Sequence, residues 1–235
     1  MESPVYRIAK LAFDIGGKLY NEAICLFFSN EPFPEASKFP VIQKLEVNQD
    51  KIQAEFKQVY ERETIPQIDQ IFVEQSPLNK KKTWRFLVLK SFFSDFGLNT
   101  KKFPLTTEII SDKIVCSAFF SILSPKSNIP PHRGPFKGVI RVHLPLLIPQ
   151  DHQNCYIVVG GIKRYWEKAK CLVFDDYFEH YVINDTDQVR VVLFLDIVRP
   201  LPFPFSMINK AILRFIGNSV FMKNLRKKAE AFHKK

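Results

Sequence analysis

The sequence has little of what marks the special architectures. Glycine is scarce, 8 residues in 235, and the 16 prolines follow no period, which excludes collagen-like and linker character. The four cysteines, Cys25, Cys116, Cys155 and Cys171, form no CxxC pair. A disulfide framework or a zinc ribbon needs closer, paired spacing, so reduced and buried thiols are expected. No uncharged apolar stretch approaches the ~18 residues of a membrane span. GxGxxG, the P-loop, GxSxG and HExxH are all missing, so no dinucleotide, phosphate-loop, nucleophile-elbow or zincin chemistry has a local signature.

What is present describes a folding, sheet-rich chain. Apolar residues make up 46% and charged residues 25%, and phenylalanine occurs 23 times. The length suits one generous domain rather than two. Residues 1–20, MESPVYRIAKLAFDIGGKLY, meet charges at Glu2, Arg7, Lys10 and Asp14, unlike the apolar core of a secretory signal. The expected compartment is the cytoplasm, with the inner face of the membrane as a peripheral site.

Net charge is +10, and its placement is uneven. From Leu201 onward Lys210, Arg214, Lys223, Arg226, Lys227, Lys228, Lys234 and Lys235 face one acid, Glu230, so this tail carries most of the excess. No RNP-like or helix-turn-helix pattern accompanies it, and no nucleic-acid partner is expected.

Along the chain, Val5, Ile8, Ala9, Ala12 and Phe13 are spaced as a short amphipathic helix. A longer helix is predicted from about Phe39 to Glu63, with Val41, Leu45, Ile52, Phe56 and Val59 on one side. From Ile114 the pattern changes to strands: VCSAFFSIL, GVIRVHLPLLI, CYIVV, CLVF and QVRVVLFLDIV, separated by turn chemistry. Such a run predicts an antiparallel barrel or jelly roll. After Pro204 helical spacing returns, with Ile208, Ala211, Ile212, Phe215 and Ile216 on one side. The organisation read here is a helical region over 1–112, a β core over 113–200 and a basic amphipathic tail over 201–235.

Strand parity locates the candidate chemistry. In the strand from Gly138, Ile140, Val142, Leu144 and Leu146 share one face, while Arg141 and His143 share the other. Either that second face is solvated, or two polar side chains enter a site. Arg190 sits in a strand apolar on both faces, where it meets either a carboxylate ligand or an internal partner such as Asp175, Asp176 or Asp196. His132 lies in the proline-braced loop IPPHRGP and His180 in FDDYFEHYVIND; two histidines entering one barrel can bind a divalent metal, whereas His152 and His233 read as solvated.

Taken together, FFSILSPKSNIPPHRGPFKGVIRVHLPLLIP, CYIVVGGIKRYWEKAKCLVFDDYFEH and DTDQVRVVLFLDIVRP resemble the aspartyl/asparaginyl β-hydroxylase family, in its bacterial type. The resemblance covers Cys116 to Pro200 and continues more thinly upstream, in FPVIQKLEVNQDKIQAEF and KKTWRFLVLKSF. It implies an iron(II)- and 2-oxoglutarate-dependent dioxygenase on a double-stranded β-helix (jelly-roll, cupin-like) core, mainly β with flanking helices, an α+β class. His132 and His180 are then the iron ligands, Arg190 and Ser121 bind the distal carboxylate of 2-oxoglutarate, and Arg141 and His143 line the cosubstrate pocket. Trp166 and Asp176 match family positions with a structural role equally open. Where most of the wider superfamily places a carboxylate, two residues after the first histidine, this chain has Gly134, as the hydroxylase branch commonly does. Asp176 or Glu179 would then orient His180 or a bound water. The implied substrates are a peptidyl Asp/Asn side chain or a lipid acyl chain. Three alternatives stay open: a non-catalytic binding module on the same barrel, zinc chemistry of the cupin kind, and a tail over 206–235 that either packs on the domain or lies on an anionic membrane.

Overall fold

The computed structural model describes residues 4–28 and 30–232. In chain order its elements are α1 (Pro4–Phe27), α2 (Pro40–Val47), α3 (Gln49–Tyr60), α4 (Ile68–Ile71), β1 (Trp84–Ser91), β2 (Ser94–Asp95), α5 (Gly97–Thr100), α6 (Pro104–Ile110), β3 (Val115–Leu123), β4 (Ser127–His132), β5 (Val139–Leu147), β6 (Cys155–Val159), β7 (Ile162–Arg164), β8 (Leu172–Phe174), β9 (His180–Asn184), β10 (Arg190–Val198), α7 (Phe205–Gly217) and α8 (Val220–Phe232).

Two antiparallel sheets face each other, one in the order β2-β1-β3-β10-β5-β8 and one in the order β4-β9-β6-β7. From β3 onward the chain alternates between them, with only the β6–β7 hairpin staying in one sheet. That alternation over eight strands is a jelly roll. The larger sheet is sandwiched, which is why its strands are apolar on both faces. Phe120, Ile122, Val142, Leu144, Leu193 and Leu195 pack outward with Val41, Leu45, Ile52 and Phe56 of α2 and α3. Phe119, Val192 and Phe194 point inward with Ile129, Ile157 and Val182 of the smaller sheet. Because side chains alternate strictly along a strand, Ser121, Arg141, His143 and Arg190 share the parity of the inward set.

The helical segment from Phe39 to Glu63 is two helices, because Asn48 leaves the α conformation at ψ 10° and its side-chain amide donates to Lys44 O at 2.9 Å. The region read as helical also supplies strands. β1 and β2 form a hairpin on the edge of the larger sheet, turning at Phe92 and Phe93, both with positive φ.

The tail differs most from its sequence pattern. α7 buries Asn209, Leu213 and Gly217; of the expected stripe, Ile212 and Ile216 are half-buried, Ile216 against the inner core, while Ile208, Ala211 and Phe215 are exposed. Asn209 donates to Gly138 O at 2.7 Å, and Gly217 lies so near the Phe92 turn that a Cβ there would stand 2.5 Å from Phe92 O. Polar and small residues thus make the close contact. The apolar stripe expected along α1 and the expectation for His233 fall outside the described side chains. All four cysteines are free, Cys116 and Cys155 buried and the other two half-buried.

Candidate active site

β4 and β9 are paired so that His132 and His180 stand opposite each other across the ladder. The register slips between Ile129 and His132, at Pro130 and Pro131, which have no N–H to give the ladder. The slip turns His132 toward its partner, and the ring centroids lie 4.2 Å apart. His132 Nδ1 lies 2.8 Å from Pro130 O, and His180 Nδ1 3.0 Å from Phe178 O. A carbonyl only accepts, so both protons sit on Nδ1 and both Nε2 lone pairs are free, the tautomer a metal ligand needs. Burial, aided by the neighbouring His132 and by Arg141, pushes His180 down to about 3, and burial lowers His132 as well. Both rings are therefore neutral at pH 7. Among the described residues no third His, Cys, Asp or Glu joins them to make a metal-holding group.

Arg190, at the start of β10, is 1% exposed, and no carboxylate among the described residues pairs with it. The three acids weighed as partners are taken. Asp175 pairs with Lys137 at 2.7 Å and with Arg199, while Asp176 and Asp196 pair with Arg141 at 2.8 and 3.1 Å. What Arg190 has are long contacts from Nη1 to Ser121 Oγ and Ser121 O, 3.4 and 3.5 Å, and the Trp166 ring 5.1 Å from its guanidinium; its Nε has no partner. Burial lowers its pKa to about 10, which leaves the cation intact at pH 7. A buried, charged and underbonded guanidinium is a costly arrangement unless an anion completes it.

Ser121 also accepts from Trp84 Nε1 at 3.0 Å. Trp166 Nε1 donates to His143 Nδ1 at 3.4 Å, so the neutral His143 ring carries its proton on Nε2, which is buried and unpartnered. Burial, with Arg190 and Arg141 nearby, holds His143 well below the usual histidine range. An orphaned N–H and an orphaned cation therefore border one cavity with His132 and His180.

Arg141 is neither solvated nor free. It is clasped by Asp176 and Asp196 and stacks over Phe194 at 4.2 Å. Glu179 is exposed and takes no part, which removes it as an orienting residue. Asp176 occupies the space that a side chain at 134 would need: a Cβ on Gly134 would lie 2.0 Å from Asp176 Oδ2. The Gly134 N–H in turn donates to Asp176 O at 2.7 Å. The space beside position 134 is thus filled by a carboxylate from the loop before β9, which does not join the two histidines as a metal-holding group. Its Oδ1 is buried without a partner, and burial pushes its pKa up to about 6. Trp84 and the role of Asp196 escaped the sequence reading; Asp196 shares the inward parity of Arg190 and is the strand neighbour of Arg141, a signal that was available.

Gly134→Ala is expected to destabilise the protein without any backbone strain. The new methyl group displaces a carboxylate held by Arg141, on a residue whose backbone carbonyl is itself fixed by the Gly134 N–H. Breaking a buried pair costs about 3 kcal/mol or more, a fall of roughly 6–12 °C in the thermal midpoint for a chain this size. Adding Asp176→Gly relieves the clash but leaves Arg141 with Asp196 alone, so it should recover only part of the loss. Circular dichroism melts decide it, and equal midpoints for wild type and Gly134→Ala would remove the steric argument.

The model of the Aspartyl/Asparaginyl beta-hydroxylase family matches residues 46–200. An ornithine lipid ester-linked acyl 2-hydroxylase from Rhizobium tropici is 33% identical over 197 residues, 83% of this chain and 70% of that protein. The aspartyl/asparaginyl beta-hydroxylase of Homo sapiens is 36% identical over 100 residues, 43% of this chain but only 12% of that protein. Among solved structures, the Cnp3 cupin domain of Schizosaccharomyces pombe aligns with 55% of this chain and 71% of that one, at 10% identity and a TM-score of 0.36. With its matched region spanning β1 to β10, both paired histidines included, the chain belongs to the aspartyl/asparaginyl β-hydroxylase family, a family of hydroxylases.

Proposed function

We propose that the protein is an iron(II)- and 2-oxoglutarate-dependent dioxygenase that hydroxylates the acyl chain of a lipid. Two features support the cofactor pair. The histidines present free Nε2 lone pairs at close range, which suits a divalent metal. Arg190 Nε and the His143 Nε2–H are buried donors without an acceptor, which suits a dicarboxylate. When bound, this pair couples the oxidation of 2-oxoglutarate by O2, giving succinate and carbon dioxide, to the conversion of a substrate C–H to C–OH.

The chain's own part is ligation, orientation and exclusion of water. His132 and His180 hold the metal. Arg190, with Ser121 and Trp84 behind it, receives the distal carboxylate, and His143 Nε2–H is free to donate to a cosubstrate oxygen. Asp176, fixed by Arg141, offers a lone acceptor oxygen to a water beside the histidines. The cavity these side chains enclose is about 30 Å³, so a dicarboxylate enters only with side-chain movement.

The observation that carries the substrate class is a second space, a groove of about 340 Å³ beginning at His132 and Arg141. Its walls include Phe72, Phe86, Phe92, Phe119, Leu213 and Met222. Such walls suit a hydrocarbon chain; of the two arginines on the groove, Arg141 is already neutralised by two acids and Arg133 is exposed to solvent. The acyl substrate of the R. tropici relative agrees with this reading.

The test incubates protein with iron(II), 2-oxoglutarate and oxygen, and either an ornithine lipid or an aspartate-bearing peptide. Succinate should appear in step with one oxygen atom gained per acyl chain, and only when both cofactors are present. Hydroxylation of the peptide alone would overturn the substrate assignment, and no succinate with either would overturn the chemistry.

A further inference from the structure

The surface around α1 and α7 carries more large apolar side chains than a solvated face needs. Leu26 is 79% exposed, Phe27 71%, Phe203 79% and Met207 59%, with Leu19 and Ile208 also exposed. Isolated exposed leucines require no explanation, but a group gathered where two helices meet does. The helices meet at Phe205, whose ring packs on Tyr20 and on Phe28, and whose carbonyl accepts from Tyr20 Oη at 3.3 Å. Phe27 and Phe203 flank that junction in the sequence, and Met207, Ile208 and Ala211 continue it along the outer face of α7.

Charge tells which partner this surface fits. From Ile197 to Ala229 the chain contains no acid, while Lys210, Arg214, Lys223, Arg226, Lys227 and Lys228 lie on α7 and α8. Lys210 and Arg214 are exposed and border the outer apolar face of α7. On the described side chains of α1, Lys18 and Glu22 cancel. An apolar stripe edged by uncompensated cations matches an anionic bilayer, where the stripe enters the acyl boundary and the cations meet headgroups.

The placement of α7 ties this face to the groove. Its inner side, through Leu213, is a wall of the apolar groove that begins at His132, and α8 adds Met222 to the same wall. We propose that α7 and the end of α1 form a docking face for an anionic lipid bilayer, seating the groove wall against the leaflet that holds the acyl substrate. This deepens the acyl-hydroxylase reading by adding how substrate is met, although the surface itself is independent of the chemistry.

The test is sedimentation of the full chain with vesicles of phosphatidylcholine alone and of equal parts phosphatidylcholine and phosphatidylglycerol. Wild type should pellet with the anionic vesicles and stay soluble with the neutral ones. A Leu26→Ser/Phe27→Ser/Met207→Ser variant, altered only at exposed positions, should lose affinity on the order of 100-fold. Lys210→Gln/Arg214→Gln should lose about 30-fold, at ~1 kcal/mol for each charge. Both variants should keep wild-type iron(II) and 2-oxoglutarate binding in solution, which shows that they fold. Equal pelleting of wild type and the serine variant, or equal binding to both vesicle types, would overturn the proposal. So would a wild-type dimer that the serine variant dissociates, since the face would then belong to a second copy. A protein that pellets as expected but never forms succinate would sink the hydroxylase chemistry and leave the docking face standing.

Discussion

His180→Ala is expected to abolish the visible absorption band that iron(II) and 2-oxoglutarate together give in anaerobic titration. The reason lies in the number of protein ligands. Among the described residues only His132 and His180 converge, with ring centroids 4.2 Å apart and no third donor in the group. A site with three protein ligands can lose one and retain a chelate, but a pair reduced to one retains none. The loss should therefore exceed the ~10–100-fold that follows removal of a group merely supporting a ligand. Stability should change little by comparison, because the ring is neutral and its Nδ1–H bond to Phe178 O is local. His132→Ala should behave alike. Glu179→Gln, one residue away but exposed, is the matched control and should leave the band intact. A band that survives in His180→Ala would mean that the metal is held elsewhere.

The part of this arrangement that was legible in the sequence is the part that depends on strand period. A side chain's face follows from counting by two, so Arg141 and His143 could be placed together from VIRVHL alone, and β10 could be recognised as buried on both faces. The histidine pairing was not legible from period, because the slip at Pro130 and Pro131 resets the count just before His132. It came from the resemblance. Helix ends and helix faces were the least legible. Asn48 breaks a helix through its own side chain, and α7 chooses its buried face through Asn209 and Gly217, which hydropathy scores as the wrong residues. Both outcomes are set by what the helix meets, Lys44 O in one case and the backbone of Gly138 and Phe92 in the other. The β1–β2 hairpin hid in the same way, since its turn is made by two phenylalanines with positive φ rather than by Asn-Gly. The choice between a ligand and an internal partner for Arg190 stayed open in the sequence for a subtler reason. All three candidate acids are buried or half-buried, but each is claimed by another cation, and only the full set of pairs reveals that one guanidinium is left over.

That surplus cation leads to a result of opposite signs in two measurements. Arg190→Met is expected to raise thermal stability in the absence of 2-oxoglutarate and to destroy affinity for it. Without an anion, the guanidinium is desolvated and recovers long contacts with Ser121 Oγ and O, 3.4 and 3.5 Å, and the face of Trp166. Replacing a poorly compensated buried charge with an apolar side chain of similar length is favourable by about 1–4 kcal/mol, or roughly 2–4 °C per kcal/mol in a chain of this size. With 2-oxoglutarate present the balance reverses. The carboxylate would lose its one buried cation, and truncating one partner of such a pair costs ~2–5 kcal/mol, a fall in affinity on the order of 100-fold or more. Arg190→Lys separates charge from shape: it keeps the cation but not the planar fork, so affinity should be intermediate. Differential scanning calorimetry gives the first sign and calorimetric titration of the iron(II)-loaded protein the second. A structural arginine would show the reverse, with stability lost and 2-oxoglutarate binding unchanged. Native selection of a buried, underbonded arginine makes sense only if it is completed during function, and the two signs together test whether a dicarboxylate completes it.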